Sequence, residues 1–372
     1  MRSRITRYSL AFALAVLPLP AGLSSAMARP TVEVAFVLDT TGSMSRLIEG
    51  AKRKIWSIAT AIVDSNPDAD IRMGLVAYRD IGDEYVTTKI ELTRDIQDLY
   101  ANLLEFKARG GGDWPESVNE ALDVAINKLQ WTPGAESRRI VFLVGDAPPH
   151  MDYAQDTKYP LTLAVARQKD IIVNTVLAGD ARDTERVWRD IAQIGNGRFI
   201  AIPQDGGQVV VIETPYDQDI IILQRQINET VIPYGSPELQ KRTEIQVEKA
   251  GRMANAAPAS ASDMASFINK RSKVTSQAIT SGGDLVADAA AGGTSVSSVK
   301  EEDLPVRLRA MKPEERSAEV AKQIDRRKAL NEQLATLVAK RDKYVGDQLA
   351  KAPRTSSFDG VVEDTLKAQI KR

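Results

Sequence analysis

Between Thr31 and Ile202 the chain repeats one rhythm, an apolar run of strand length followed by a stretch with helical periodicity, and that rhythm admits few folds. The apolar runs are Val32–Leu38, Ile71–Tyr78, Ile140–Val144, Ile171–Leu177 and Phe199–Ile202, with an edge strand expected near Val86–Leu92. Helical patterns lie near Ser45–Val63, Ile96–Phe106, Pro115–Leu129, Tyr159–Gln168 and Thr184–Ile194, and Pro115 falls in a first turn, where helices tolerate proline. Strands alternating with helices of this length predict an α/β domain, doubly wound and mostly parallel, over residues 29–232. A last apolar segment at Val209–Ile212 and a closing helix at Asp217–Val231 complete it.

Two of the strands end in carboxylates. Val34-Ala35-Phe36-Val37-Leu38 runs into Asp39, and the hydroxyls of Thr41 and Ser43 follow before a helix begins. Val141-Phe142-Leu143-Val144-Gly145 runs into Asp146. In a doubly wound sheet the carboxyl ends of the strands open onto the ligand crevice, so these side chains are expected to converge there. A hard cation such as Mg²⁺ prefers oxygen ligands and keeps several waters, which a carboxylate and two hydroxyls can supply. The plainer alternative is a helix cap, in which the same oxygens only satisfy free backbone amides. A third loop, Gly110-Gly111-Gly112-Asp113-Trp114-Pro115-Glu116, has the glycines that let backbone approach a ligand closely.

Three oxygen-bearing loops in this order resemble the metal-ion-dependent adhesion site of von Willebrand factor A domains. Asp39, Thr41 and Ser43 match its Asp-x-Thr-x-Ser form, and Asp146 matches its later strand-end aspartate. The Gly-Gly-Gly-Asp-x-Pro-Glu loop and Tyr78-Arg79-Asp80-Ile81-Gly82-Asp83-Glu84-Tyr85 further resemble a bacterial subgroup of exported proteins with this domain. The resemblance covers about residues 31–230. It implies a VWA/Rossmann-like fold, a divalent cation (Mg²⁺, or Mn²⁺ or Ca²⁺), metal contacts from the two motif hydroxyls, and aspartates that often act through water. In the family a threonine of the glycine-rich loop usually completes the site, and here that loop offers Asp113 instead. Three carboxylates around one divalent cation should strengthen its binding and disfavour an incoming partner carboxylate. Glu116 is the alternative donor, its plain role being a negative charge near a helix N-terminus.

The remaining candidates are partner contacts. Trp114 sits beside the metal loop, where an aromatic side chain can anchor a partner or pack on the following helix. His150 follows Pro148-Pro149 and is expected to face solvent, with partner contact as the functional alternative, and Tyr153 closes the same loop. Arg79, Asp80, Asp83 and Glu84 read as a local charge network or a solvated turn before they read as a second metal site.

Composition narrows the setting. There is no cysteine, which excludes a disulfide framework, thiolate zinc sites and cysteine nucleophiles, and the single histidine excludes mechanisms that need two. Arg2, Arg4 and Arg7, the apolar run Leu10–Leu23 broken by Pro18 and Pro20, and Ala26-Met27-Ala28 read as a signal peptide over residues 1–28. The run falls short of the ~20 residues of a spanning helix, so the mature chain, starting at Arg29, is expected in the periplasm or secreted, without an integral membrane span. Residues 29–230 hold 31 acidic against 22 basic side chains, and residues 231–372 hold 19 against 24. Neither half has the dense Lys/Arg stripe of a nucleic-acid binder.

Past Pro233-Tyr234-Gly235-Ser236-Pro237 the texture changes. Residues 233–312 are expected to be a linker with short helices, partly disordered, because Ala254–Ser262 and Ser281–Ser298 are rich in Ala, Ser and Gly, with one short helix at Asp263–Ile279 between them. Residues 313–372 read as helical and coiled-coil-like: Val320, Ile324, Leu330, Leu334, Leu337 and Tyr344 form a stripe over Pro313–Leu349 that must pack within the chain or pair with another copy.

The functional expectation is an exported, non-enzymatic, metal-dependent binding module that recognises a protein or envelope partner. A metal-dependent phosphohydrolase with Asp39 as nucleophile is disfavoured, because Thr41 stands where haloacid-dehalogenase-like enzymes carry a second aspartate. A structural scaffold is the third reading.

Overall fold

The computed structural model describes residues 30–207, 211–253, 257–275, 278–280, 282–351 and 358–370; the expected signal peptide and residues 209–210 of the expected Val209–Ile212 segment lie outside them, and residues 211–212 are in no strand. Strands β1 (Thr31–Asp39), β2 (Asp70–Tyr78), β3 (Thr87–Thr93), β4 (Ser137–Gly145), β5 (Ile171–Ala178) and β6 (Asn196–Ile202) form one sheet in the order β3-β2-β1-β4-β5-β6. All pairings are parallel except that of the edge strand β3 with β2. The chain winds outward from β1 in one direction and returns to lay β4 on its other side. The strand order therefore switches between β1 and β4, which is where such sheets open a binding crevice.

Both faces of the sheet are covered, so its strands are apolar throughout. Val34, Phe36 and Leu38 of β1 point to one core, and Ala35 and Val37 to the other. Helices α1 (Ser45–Ser65) and α2 (Ile96–Glu105) supply the first core; α3 (Val118–Asp123), α4 (Tyr159–Gln168) and α5 (Arg182–Ile194) supply the second. The helix expected from Pro115 starts only at Val118. Residues 115–117 are instead held extended beside the loop after β4: the Glu116 amide donates to the Pro148 carbonyl at 2.9 Å, and the His150 amide to the Glu116 carbonyl at 3.1 Å.

The rear of the chain is more built than its composition suggested. Helices α6 (Asp217–Asn228), α7 (Pro237–Met253), α8 (Pro258–Ser272), α9 (Leu285–Ala290), α10 (Val306–Arg309), α11 (Pro313–Leu349) and α12 (Phe358–Ile370) follow one another. Of the segment read as a linker around Ala254–Ser262, residues 254–256 lie outside the described residues and 258–262 open α8, whose Ala259, Ala261, Met264, Ala265 and Phe267 are buried, with Phe267 against Trp56 of α1. Buried Ser260, Ser262 and Ser266 explain the misreading: small side chains let α8 lie close to its neighbours, and the same residues look like linker composition. Leu285 and Val286, in the stretch expected to be mobile, sit in a small core with Ile232, Leu304, Leu308 and Val320.

The predicted helix over 313–349 is present, but its stripe faces inward. Val320, Gln323, Arg327, Leu330, Leu334, Val338 and Arg341 are buried on one side of α11, against α6, α8 and α9. The stripe read as a coiled-coil seam is thus covered by packing within the chain. Two buried arginines fix the register: Arg327 binds Asp284 at 2.6 Å, and Arg341 binds Asp217 at 2.8 Å and Asp263 at 2.7 Å. Helix α12 then lies along α1, where Phe358 meets Phe36 of β1 edge-on and the buried amides of Gln369 and Asn174 exchange hydrogen bonds. Among the described residues no helix is long and apolar enough to cross a membrane.

Candidate functional site

At the switch point stand four of the five residues expected at the metal, Asp39, Thr41, Ser43 and Asp146, and with them the alternative donor Glu116. Asp39 ends β1, fully buried, and its Oδ1 accepts from the Thr41 amide at 2.8 Å and the Thr41 hydroxyl at 2.6 Å. The Ser43 hydroxyl lies 3.3 Å from that of Thr41. These oxygens do not cap the helix: neither the turn at Gly42–Met44 nor α1 receives a side-chain cap. Asp146 follows β4, nearly buried, and its Oδ2 accepts from the Gln204 amide at 2.6 Å.

The second oxygen of Asp39 has no hydrogen-bond partner, and neither has Oε2 of buried Glu116. Space beside Asp39 is kept by Gly145, where a Cβ would come within 3.2 Å of that same Oδ2 and 2.4 Å of the Tyr78 hydroxyl. Glu116 reaches the crevice under the glycine loop, since a Cβ on Gly111 would stand 3.3 Å from Thr41 Cβ and 3.5 Å from Glu116 Oε1. The loop itself depends on Gly110, whose φ of +75° strains any residue with a side chain and whose Cβ position falls on the Asp83 carboxylate. Unpaired buried carboxylate oxygens carry a large desolvation cost, and a divalent cation with oxygen preference is the group whose charge fits them.

Residues 33–213 match the family model described as von Willebrand factor A domain. Mouse von Willebrand factor A domain-containing protein 7 is 30% identical over 197 residues, which are 51% of this chain and 20% of that protein. Alpha-protein kinase vwkA of Dictyostelium discoideum is 31% identical over 121 residues, 32% of this chain and 19% of that one. The chain thus spans no more than about a fifth of the length of these relatives. Among solved structures, the SpRpn10 VWA domain aligns at 13% identity with a TM-score of 0.36, covering 48% of this chain and 89% of that one. Residues 33–213 form a von Willebrand factor A domain.

Within the VWA domain the loop residues separate into two groups. Glu116, Asp39, Thr41 and Asp146 gather in the crevice, with exposed Ser43 at its rim. Asp113, assigned to the cation from sequence, is exposed and faces His150 instead, its Oδ2 3.5 Å from Nε2. His150 is not the solvent-facing loop residue expected: it is 7% exposed, stacked on Tyr153 with ring centroids 3.9 Å apart. Trp114 is about half exposed, its indole N–H donating to Asp183 at 2.7 Å, so it does not pack under the following helix. Sequence reasoning missed Asp80 as a partner of His150 and Gln204 as a partner of Asp146; both pairings join loops far apart in the chain.

The crevice is electrostatically loaded. Burial pushes the Asp39 carboxyl from 3.8 up to about 7, against the Thr41 hydroxyl's hydrogen bond and with the help of Asp146. Burial also raises Glu116 from 4.5 to about 9, reinforced by Asp39, Asp80, Asp83 and Asp146. A carboxyl with a raised folded-state pKa binds protons that the unfolded chain has released, so stability falls as pH rises through that window. In chelator, the melting temperature should therefore decline steadily from about pH 5 to about pH 9. Saturating Mg²⁺ should flatten the decline. A melting temperature independent of pH in chelator would show that these carboxylates are already neutralised within the protein.

Proposed function

We propose that this chain is an exported, non-enzymatic binding protein whose VWA domain engages a protein or cell-envelope partner through a divalent cation, Mg²⁺ or a close substitute. The observation that carries the reading is the pair of buried, unpartnered carboxylate oxygens on Asp39 and Glu116 at the switch point of the sheet. Asp39, Thr41, Ser43 and Asp146 would hold the cation, with Glu116 rather than Asp113 contributed by the glycine loop. When bound, the cation supplies the missing positive charge and a position exchangeable with a partner's oxygen. Around the crevice, Ile81, Trp114 and Met151 stand about half exposed on three loops, the kind of apolar anchor that protein interfaces bury. Export to the periplasm or medium rests on the sequence of residues 1–28.

Calorimetric titration of the metal-stripped protein with Mg²⁺ should give a single site in the wild type and none in Asp39→Ala. Glu116→Gln should weaken it at least tenfold, about 1.4 kcal/mol, whereas Asp113→Thr leaves it unchanged. The reverse pattern would return the loop's donor to Asp113. Mg²⁺-dependent turnover of an aryl phosphate, lost in Asp39→Ala, would overturn the non-enzymatic reading.

A further inference from the structure

Beside the crevice lies a second cluster that the adhesion-type reading does not use. One ligand atom each from Asp80, Asp113 and His150 lies within 4.8 Å of the other two. His150 Nε2 stands 3.5 Å from Asp80 Oδ2 and 3.5 Å from Asp113 Oδ2. It is buried and makes no hydrogen bond. The opposite ring nitrogen, Nδ1, is 2.8 Å from the Asp152 carboxylate, which holds the proton on that side. Nε2 then presents a lone pair between two carboxylates, an arrangement that only a positive charge makes favourable.

We propose that Asp80, Asp113 and His150 are the protein ligands of a second cation site, suited to Zn²⁺ rather than Mg²⁺. An imidazole donor favours a borderline metal such as zinc over the hard cations. Spacing points the same way. Zinc bonds of ~2.0–2.1 Å at tetrahedral angles place neighbouring ligand atoms roughly 3.3–3.4 Å apart, whereas an octahedral Mg²⁺ site needs roughly 2.9 Å. The two edges from His150 Nε2, 3.5 Å each, lie by the tetrahedral value, and the third, between Asp80 and Asp113, is within 4.8 Å.

The surroundings are those of a held site. Asp80 is fixed at both oxygens, accepting from Ser117 Oγ and from Tyr153 Oη, each at 2.8 Å. Tyr153 also carries the imidazole on its ring face. The carboxylate–imidazole contact of Asp152 is the outer partner that usually sets the tautomer of a zinc-binding histidine. Exposed Asp113 leaves the cluster open to solvent, and three protein ligands leave a fourth position for water or a partner's donor atom. The competing account is an imidazolium that pairs with both carboxylates and needs no metal.

The test uses the full metal-stripped chain, titrated with Zn²⁺ at saturating Mg²⁺, and with Co²⁺ as a spectroscopic probe. One equivalent of Zn²⁺ should bind, and Co²⁺ should show the intense visible absorption of tetrahedral coordination. His150→Gln and Asp113→Asn should each weaken Zn²⁺ at least tenfold, while Asp39→Ala leaves it unchanged, which separates this site from the crevice. Asp113 is exposed, so its variant tests the site without disturbing the core. Absence of Zn²⁺ binding in the wild type, undiminished binding in both variants, or an octahedral Co²⁺ spectrum would overturn the proposal and leave the imidazolium.

Discussion

Removal of residues 352–372 is expected to abolish cooperative folding of the whole chain, although the VWA domain ends far upstream. Helix α12 inserts Phe358, Val362, Leu366 and Ile370 into the core that also holds β1 and α1, and each is at most 5% exposed. Burial of an aliphatic or aromatic side chain contributes about 1.5–3 kcal/mol, so the four together contribute roughly 6–12 kcal/mol. That is an upper figure, because unfolded chains already bury some of this surface, but it matches the ~5–15 kcal/mol of a whole domain. Loss of α12 also leaves the buried amide of Asn174 without Gln369. Urea denaturation followed by circular dichroism should show a broad, non-cooperative transition or an aggregated product. A truncated chain that unfolds at the wild-type midpoint would make α12 an appendage.

Arg341→Ala should cost about 3–5 kcal/mol, the usual penalty for breaking a buried ion pair from one side. Arg341 is 4% exposed and is shared between Asp217 and Asp263, with a further bond to the Ala259 carbonyl at 3.2 Å. The two acids answer differently to burial. Burial raises Asp217, but the Thr214 amide and Arg341 outweigh it and hold its carboxyl below the ordinary range. For Asp263 burial prevails and the carboxyl is raised, even with Arg341 beside it. The depressed Asp217 contributes stability that is present above the ordinary carboxylate range and is lost as pH falls through it. Removing the arginine strands a buried charge. The triple variant Arg341→Met, Asp217→Asn, Asp263→Asn should recover most of the loss, since replacing a whole buried ion cluster with neutral groups is often close to neutral. A loss of stability below about 1 kcal/mol in Arg341→Ala would show that the cluster is wetter than its burial indicates.

Much of the front half was legible because its signals are local. Strand-length apolar runs mark buried parallel strands wherever both faces are covered; β1, β2 and β5 fall within a residue of the runs that announced them, and β4 begins three residues earlier. Where the pattern misled, a non-local contact had taken over. Pro115 looked like the first turn of a helix, but the Glu116 backbone pairs with Pro148 and His150, and that pairing delays the helix to Val118. The same detour turns Glu116 inward and leaves Asp113 outside, so the donor that the resemblance led one to expect of the loop is its exposed residue.

Sequence alone determined the order of strands and helices over residues 31–202, the placing of Asp39, Thr41, Ser43 and Asp146 at strand ends, and the extent of α11. Each depends on side-chain periodicity within a few residues, which the chain carries in itself. Only the tertiary structure decided that α8 and α12 close the same core as β1, that the stripe of α11 is covered from within, and that Asp80, Asp113 and His150 meet. Those facts depend on which distant segments come to lie side by side. Ala- and Ser-rich helices, single polar side chains and loop aspartates have no periodic signature of that meeting; their partners are chosen by the path of the backbone through the completed sheet.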